Sequence, residues 1–343
     1  MASHLVDSNG TVEPNIDPEG VARRVDGGVF FWLDLESPTD QELELLHREL
    51  DVHPLALEDA RKFGQRPKID EYEGFTALVV FGCEDDHDSE AGLRPVEVHC
   101  FYSPHWLVTV HRGQAAVFQE LRDKHAQRLR KLDEGLGILY FVLDALVDSF
   151  FPQLSELDDE IDHLQDEILE DAQPVQLQEA IAMKRSLVQL RKLVHPQRDM
   201  FSGLLSGRFE LPGMDEKHEH YFRDVYDHLI RLSEEIDDYR DLASGTTDLY
   251  QSTIGNKMNL TMKQLGWVAT FFLPLSFLTG FFGQNFTYLV AHLLSPDWVF
   301  WVFGLCLDAL AFAAVLFWYL NRERGNLLFR HVPLPAVPRR RRR

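Results

Sequence analysis

The sequence predicts an α+β membrane protein: a cytoplasmic α/β domain, a long stalk helix that continues into a first membrane helix, and a second membrane helix near the carboxyl end. Three observations predict it. Two long apolar segments lie close to the carboxyl terminus, strand and helix patterns alternate in the first third, and helical periodicity runs without a convincing stop from about Glu216 into the first apolar segment. The 343 residues suffice for a soluble core and an appendage.

Residues 1–28 carry acids where a signal peptide needs a basic segment and an apolar core, and they read as a polar cytoplasmic tail. Residues 29–213 are expected to form the α/β domain. "VFFWLDL", "FTALVVFG", "VEVHCFY" and "WLVTVH" have strand composition, and "SPTDQELELLHREL" opens a helix with acids in its first turn. From about Ala115 the pattern turns helical. An acidic "LSELDDEIDHLQDEILED" and a basic-apolar "MKRSLVQLRKLVHPQRD" predict long paired helices joined at "DAQP".

Residues 214–264 are the expected stalk. No proline stands between Pro212 and Pro274, and Gly245 and Gly255 are tolerated breaks. A helix of about 65 residues at 1.5 Å each spans ~100 Å, more than a globular domain needs, so it should pack against copies of itself.

The first crossing is residues 265–283 and the second 298–320. Leu265 to Phe282 has no charge, and Trp298 to Leu320 holds only Asp308, with aromatic residues at both ends. Each covers about 30 Å of hydrocarbon as a helix. The connecting loop, 284–297, has no Lys or Arg. Lys257 and Lys263 precede the first crossing, while Arg322, Arg324 and Arg330 follow the second, which puts both termini in the cytoplasm. The basic tail, 321–343, ends in Arg339 to Arg343, a run suited to anionic lipid or to an unstructured end.

The formal charge of −21 argues against nucleic acid as a partner and toward cations or a solvated surface. Cys83, Cys100 and Cys306 lack disulfide or zinc-site spacing. No phosphate-binding loop and no nucleophile–base arrangement is found, so neither nucleotide-driven transport nor an enzyme is expected. Histidines in "EKHEH" (His218, His220) and "HCFYSPHWLVTVH" (His99, His105, His111) lack zinc-site spacing and support only weakly a membrane-tethered metal-binding scaffold.

Asp248, Gly255, Asn259, Met262, Gly266, Ala269, Leu273, Ser276 and Gly280 recur in steps of seven, four and three and trace one stripe along the stalk and first crossing. Such a stripe means close helix packing or a water-filled path. Its end at "GQN" favours a path shared by several subunits. Mg²⁺ dehydrates reluctantly, so an entrance for it should contact its outer waters, as the neutral amide of Asn285 can, with Gly283 letting the backbone turn closely.

"HPLALEDA", "QRPKIDEYE", "LDALVDSFF", "LVQLRKLVHPQRD", "YFRDVYDH" and the G-x-N signature together make the chain resemble the CorA magnesium and cobalt channels, over about Phe31 to Leu320. The resemblance implies a funnel-shaped homopentamer in the lipid bilayer of the cell's inner membrane, with Mg²⁺ both transported and regulatory and no organic cofactor. It implies that Asp59 and Asp224, with Glu58 nearby, form a cytoplasmic Mg²⁺ sensor shared between neighbouring subunits. The residues alone leave open that Glu58 and Asp59 simply pair with Arg61 or Arg66. It further implies a pore lined by Asp248, Asn259, Met262, Leu265, Ser276 and Gly280, an apolar gate at Met262 and Leu265, an entrance at Gly283, Gln284 and Asn285, and a basic collar of Lys263, Arg322 and Arg324. Gln284 stands where magnesium members commonly have Met, and Thr287 and His292 where many carry acids, leaving only Asp297 in the loop. His292 and Asp308 are the features that fit the proton-coupled zinc transporters of the same superfamily.

Overall fold

The computed structural model describes residues 2–7, 12–14, 18–28, 30–86, 93–113, 115–121 and 135–284, then 286–288, 291–292, 297–299, 301–302, 306, 309–310, 313–314 and 317. The chain divides into two compact units, Met1–Thr253 and Ile254–Arg343.

The first unit is built on a seven-stranded sheet. Its strands are β1 (Ala2–Asp7), β2 (Val12–Pro14), β3 (Phe31–Glu36), β4 (Lys68–Tyr72), β5 (Phe75–Asp85), β6 (Leu93–Tyr102) and β7 (Trp106–His111). They lie in the order β2-β1-β3-β7-β6-β5-β4, and all pairings are antiparallel except β3 with β7. The parallel pair sits at the centre and is almost wholly buried, which is why its sequences read as continuous apolar runs rather than alternations. The register puts Asp34 opposite Thr109, and this buried carboxylate is satisfied there: the Thr109 hydroxyl donates to it at 2.7 Å, and Trp32 Nε1 donates to the Thr109 oxygen at 3.0 Å.

Period-2 geometry splits the strands between two cores. Phe31, Leu33, Leu35, Trp106, Val108 and Val110 face α1 (Pro18–Gly27), α2 (Asp40–Leu50) and α3 (Pro54–Lys62). Trp32 and Leu107 face the opposite core, built with α4 (Gly135–Asp148), α5 (Phe150–Asp171), α6 (Pro174–Leu205) and α7 (Glu216–Phe282). The α2 start carries a reciprocal capping box. Glu42 Oε2 accepts the Thr39 N–H at 2.7 Å, and Thr39 Oγ1 accepts the Glu42 N–H at 3.3 Å.

Residues 1–28 differ from the expected loose tail. β1 pairs along its whole length with β3, and Leu5 and Val6 are buried, because an otherwise open edge of the sheet offers unpaired backbone groups to this segment. The strand is half polar, so its composition hid it. β4, "KIDEY", escaped notice for the same reason: it is the opposite edge, where charged residues are ordinary.

α7 is a single 67-residue helix. Within the first unit, Phe222, Val225, Leu229, Leu232, Ile236 and Ala243 are buried at steps of three, four and seven, one stripe facing the core. Two helical stretches are long and apolar enough to cross a membrane. Gly135–Asp171 contains an apolar 18-residue window of mean hydropathy 1.5, but half of that window is buried in the first unit, where it serves as core. Glu216–Phe281 contains an apolar 18-residue window of mean hydropathy 1.3 with no buried residue. The expected second crossing, Trp298 to Leu320, lies largely outside the described residues.

Gly82 of β5 lies beneath the end of α4. A Cβ there would stand 2.9 Å from Ser149 Oγ and 3.3 Å from the Leu146 carbonyl, where Ser149 Oγ accepts the Cys83 N–H at 2.9 Å. Gly82→Ala is therefore expected to destabilise the first unit by about 1–3 kcal/mol, read as a lower midpoint in urea unfolding of the full-length protein followed by tryptophan fluorescence. An unchanged midpoint would mean that α4 does not rest on this strand as described.

Candidate functional site

An apolar helix that carries evenly spaced acids invites attention. In α4, Tyr140, Asp144 and Asp148 recur every four residues in a run otherwise composed of Leu, Val, Phe and Ala, so they share one face. In α7, Asp224 and His228 are also four apart. The packing of the two helices brings these faces together. His228 Nδ1 lies 3.1 Å from Asp148 Oδ1 and 3.5 Å from Asp144 Oδ1, and its Nε2 lies 4.0 Å from Asp224 Oδ1. The Tyr140 hydroxyl donates to Asp224 Oδ2 at 3.0 Å. One ligand atom from each of Asp144, Asp224 and His228 fits within 4.8 Å of the others.

The electrostatics show the strain of this grouping. Partial burial pushes the Asp148 carboxyl up, with the Asp224 charge adding to it and His228 pulling the other way. Burial also raises the Tyr140 phenol, helped by the charge of Asp144 and the hydrogen bond to Asp224. Three carboxylates around one imidazole carry more negative charge than the histidine can neutralise. A divalent cation would relieve that repulsion, and hard carboxylate oxygens suit Mg²⁺ while the imidazole extends the set toward Co²⁺, Ni²⁺ and Zn²⁺.

Of the residues expected at the sensor, Asp224 is in this cluster and Glu58 and Asp59 are not. Both sit in α3, half-exposed, and each has a partner within the chain: Lys68 Nζ stands 2.7 Å from Asp59 Oδ2, and Lys62 pairs with Glu58. Arg61, one of the two partners considered for them, pairs instead with Asp40 at 2.6 Å. Among the described residues no ion pair or hydrogen bond joins Asp59 to Asp224. Tyr140, Asp144, Asp148 and His228 were missed in the sequence. The acids on an apolar helix were the available signal, and His228 closes the quoted "YFRDVYDH".

Three histidines of the scaffold reading, His218, His99 and His111, have structural occupations, while His105 and His220 are exposed. Asp215 Oδ1 lies 2.6 Å from His218 Nδ1 and accepts the N–H groups of Lys217 and His218, so this pair caps the start of α7. His99 Nε2 pairs with Glu97 at 2.9 Å, and His111 Nε2 lies 3.2 Å from buried Asp34.

Asp248, Asn259, Met262, Lys263, Leu265, Ser276 and Gly280 are all exposed along α7, with Met262 63% and Leu265 70% accessible. From Gly255 to Gly280 the stripe advances by alternating fours and threes, so helical geometry keeps it on one face. The helix closes at Gly283, whose N–H donates to the Thr279 carbonyl at 2.9 Å; a Cβ on Gly283 would press that oxygen at 3.1 Å. Gln284 is exposed and its N–H donates to the Phe281 carbonyl at 3.3 Å. His292 stacks on Tyr288, ring centroids 5.0 Å apart. Asn285, Asp308, Arg322 and Arg324 lie outside the described residues.

Comparison with known proteins adds an independent line. A family profile described as CorA-like Mg2+ transporter protein matches residues 27–322. The cobalt/magnesium transport protein CorA of Thermotoga maritima is 35% identical over 241 residues, covering 69% of this chain and 68% of that protein. The zinc transport protein ZntB of Cronobacter sakazakii is 25% identical over 321 residues, covering 93% and 94%. The solved structure of the CorA magnesium transporter from Methanocaldococcus jannaschii superposes with a TM-score of 0.76 at 21% identity, over 92% of this chain and 97% of that one, and shares the fold. A profile match over most of the chain, a relative above 30% identity and a common fold agree, and the chain belongs to the CorA-like Mg2+ transporter family.

Proposed function

We propose that the chain is the subunit of a homopentameric, passive channel for divalent cations, carrying Mg²⁺ and also Co²⁺ and Ni²⁺, in the cell's inner membrane with both termini cytoplasmic. The observation that carries this reading is the helix Glu216–Phe282: its apolar window has no buried residue, yet one stripe along it is small and polar. An apolar exterior with a polar seam is what a membrane helix needs if it faces lipid on one side and a shared aqueous axis on the other.

In this reading the hydrated ion enters at a ring of Gly283, Gln284 and Asn285, whose uncharged oxygens accept from its waters. It passes Gly280, Ser276, Asn259 and Asp248. Met262 and Leu265 form an apolar constriction that closes by excluding water, and Lys263, Arg322 and Arg324 form the basic collar. Cytosolic Mg²⁺ bound between Asp224 of one subunit and Asp59 of its neighbour, with Glu58 close by, holds the closed ring, and loss of the ion releases mutually repelling carboxylates. The Asp144–Asp148–His228 surroundings of Asp224 support a cation there. The membrane potential supplies about 4.6 kcal/mol per 100 mV for a divalent ion crossing fully, which suffices without coupling.

A second reading, proton-coupled zinc transport, is favoured by the zinc transport relative, by the imidazole beside Asp224, and by His292 and Asp308. Flux into liposomes of Mg²⁺, Co²⁺, Ni²⁺ and Zn²⁺, with and without a pH gradient, separates the two. The channel reading expects Mg²⁺ flux indifferent to the gradient; zinc flux that vanishes when the gradient is collapsed would favour the second. Asn285→Ala is expected to abolish uptake while the oligomer stays intact, and normal uptake would end the entrance assignment. Asp224→Ala should weaken Mg²⁺ protection of the cytoplasmic unit against protease by tenfold or more in midpoint concentration, about 1.4 kcal/mol. Unchanged protection would remove Asp224 from the sensor.

A further inference from the structure

Asp59 ends α3's acidic stretch, and the chain that follows is held unusually firmly. Phe63, just past the helix, takes a positive φ of 55°. Glu97 of β6 accepts the N–H groups of Gly64 at 2.6 Å and Gln65 at 3.1 Å. The Arg112 guanidinium lies 4.3 Å from the centre of the Phe63 ring and donates to the Lys62 carbonyl at 3.2 Å. Three residues later the chain enters β4, with Lys68 opposite Val79. Lys68 is therefore delivered by backbone anchored on both sides. Its ammonium reaches two carboxylates, Asp59 Oδ2 at 2.7 Å and Asp70 Oδ2 at 2.7 Å, with side-chain exposures of 34% for Lys68, 28% for Asp59 and 40% for Asp70.

The geometry points to Lys68 as a built-in competitor for the regulatory cation: its ammonium occupies the Asp59 carboxylate until a divalent ion displaces it onto Asp70, so that Lys68 and Asp70 together set the Mg²⁺ concentration at which the sensor fills. This rests on the reading of Asp59 as a sensor ligand. The physical reasoning is a comparison of two cations for one carboxylate. The ammonium is tethered and always present, whereas the dication brings twice the charge and prefers oxygen ligands. Displacement leaves the lysine still paired, because Asp70 already holds it, so the exchange exposes no unpaired charge. Burial pulls the Lys68 pKa down, but the hydrogen bonds to Asp59 and Asp70 outweigh it and leave the group above its ordinary value, hence charged at every physiological pH. Asp224 has no such lysine: its described partners are Tyr140 and His228. The two halves of the proposed bridge thus differ in kind, one pre-neutralised and one not.

Two substitutions should move the threshold in opposite directions, which a merely structural salt bridge would not do. In the full-length protein in detergent, titrated with Mg²⁺ and scored by protease protection, Lys68→Gln is expected to lower the midpoint about fivefold, the scale of a partly exposed ion pair. Asp70→Asn, which removes the alternative partner, is expected to raise it by a similar factor. Lys68→Arg, tested alongside, should keep the wild-type fold and move the midpoint less than Lys68→Gln does. Asp59→Asn serves as the reference. If it abolishes Mg²⁺ protection while Lys68→Gln and Asp70→Asn leave the midpoint unmoved, or move it the same way, the competitor role is overturned and the sensor stands. If Asp59→Asn leaves protection intact, the sensor reading itself fails, and the role of Lys68 with it.

Discussion

Everything in this protein depends on one helix satisfying two solvents. Along Glu216–Thr253 one apolar stripe, Phe222, Val225, Leu229, Leu232 and Ile236, is fully buried in the core of the first unit. Beyond Ile254 the large apolar residues are exposed instead: Trp267, Phe271, Phe272, Leu273 and Phe277. Each such side chain gains about 1.5–3 kcal/mol when removed from water, so this half of the helix is stable only where hydrocarbon or other subunits cover it. Continuity of the backbone ladder carries the helix from one regime to the other, as lipid requires, although Pro274 has no N–H to give the Thr270 carbonyl. Pro274 is tolerated within it.

Against that apolar frame, the acids carry the regulation in the proposed function. Most of the surface charge of this acidic chain is ordinary solvation, but two places differ. Around His228, three carboxylates gather on two packed helices, and their mutual repulsion is a store of free energy that a divalent ion can discharge. Around Lys68, two carboxylates share an internal cation and are already quiet. The family is one of transporters rather than enzymes, and this contrast suits the proposed function, in which carboxylates work as a reversible electrostatic clasp.

Much of the fold was legible in the residues, for identifiable reasons. Strands β3, β5, β6 and β7 are rich in β-branched or aromatic residues and central, so composition marks them. β1, β2 and β4 lie toward the edges, where polar residues are tolerated and pairing with a neighbour supplies what composition lacks. The helix start at Thr39 was visible as acids after Ser-Pro, though the reciprocal Thr39–Glu42 bonding needed coordinates. Asp224 was singled out by the family resemblance, whereas Tyr140, Asp144 and Asp148 come from about 80 residues earlier in the chain and reach it only because α4 packs beside α7. The histidine-rich segments lack zinc-site spacing in the sequence, and in the structure His218 caps a helix while His111 partners buried Asp34.

What the sequence determined by itself was periodicity and solubility: which stretches are apolar enough for lipid, which residues share a helical face, and where a rod must run unbroken. These follow from 1.5 Å and 100° per residue and need no knowledge of neighbours. Only the tertiary structure decided the company each charge keeps. Asp59 is matched to Lys68 and Asp224 to Tyr140 and His228 because separate elements place those side chains within a few ångströms, and Coulomb and hydrogen-bond energies over such distances are set by packing that no local pattern encodes.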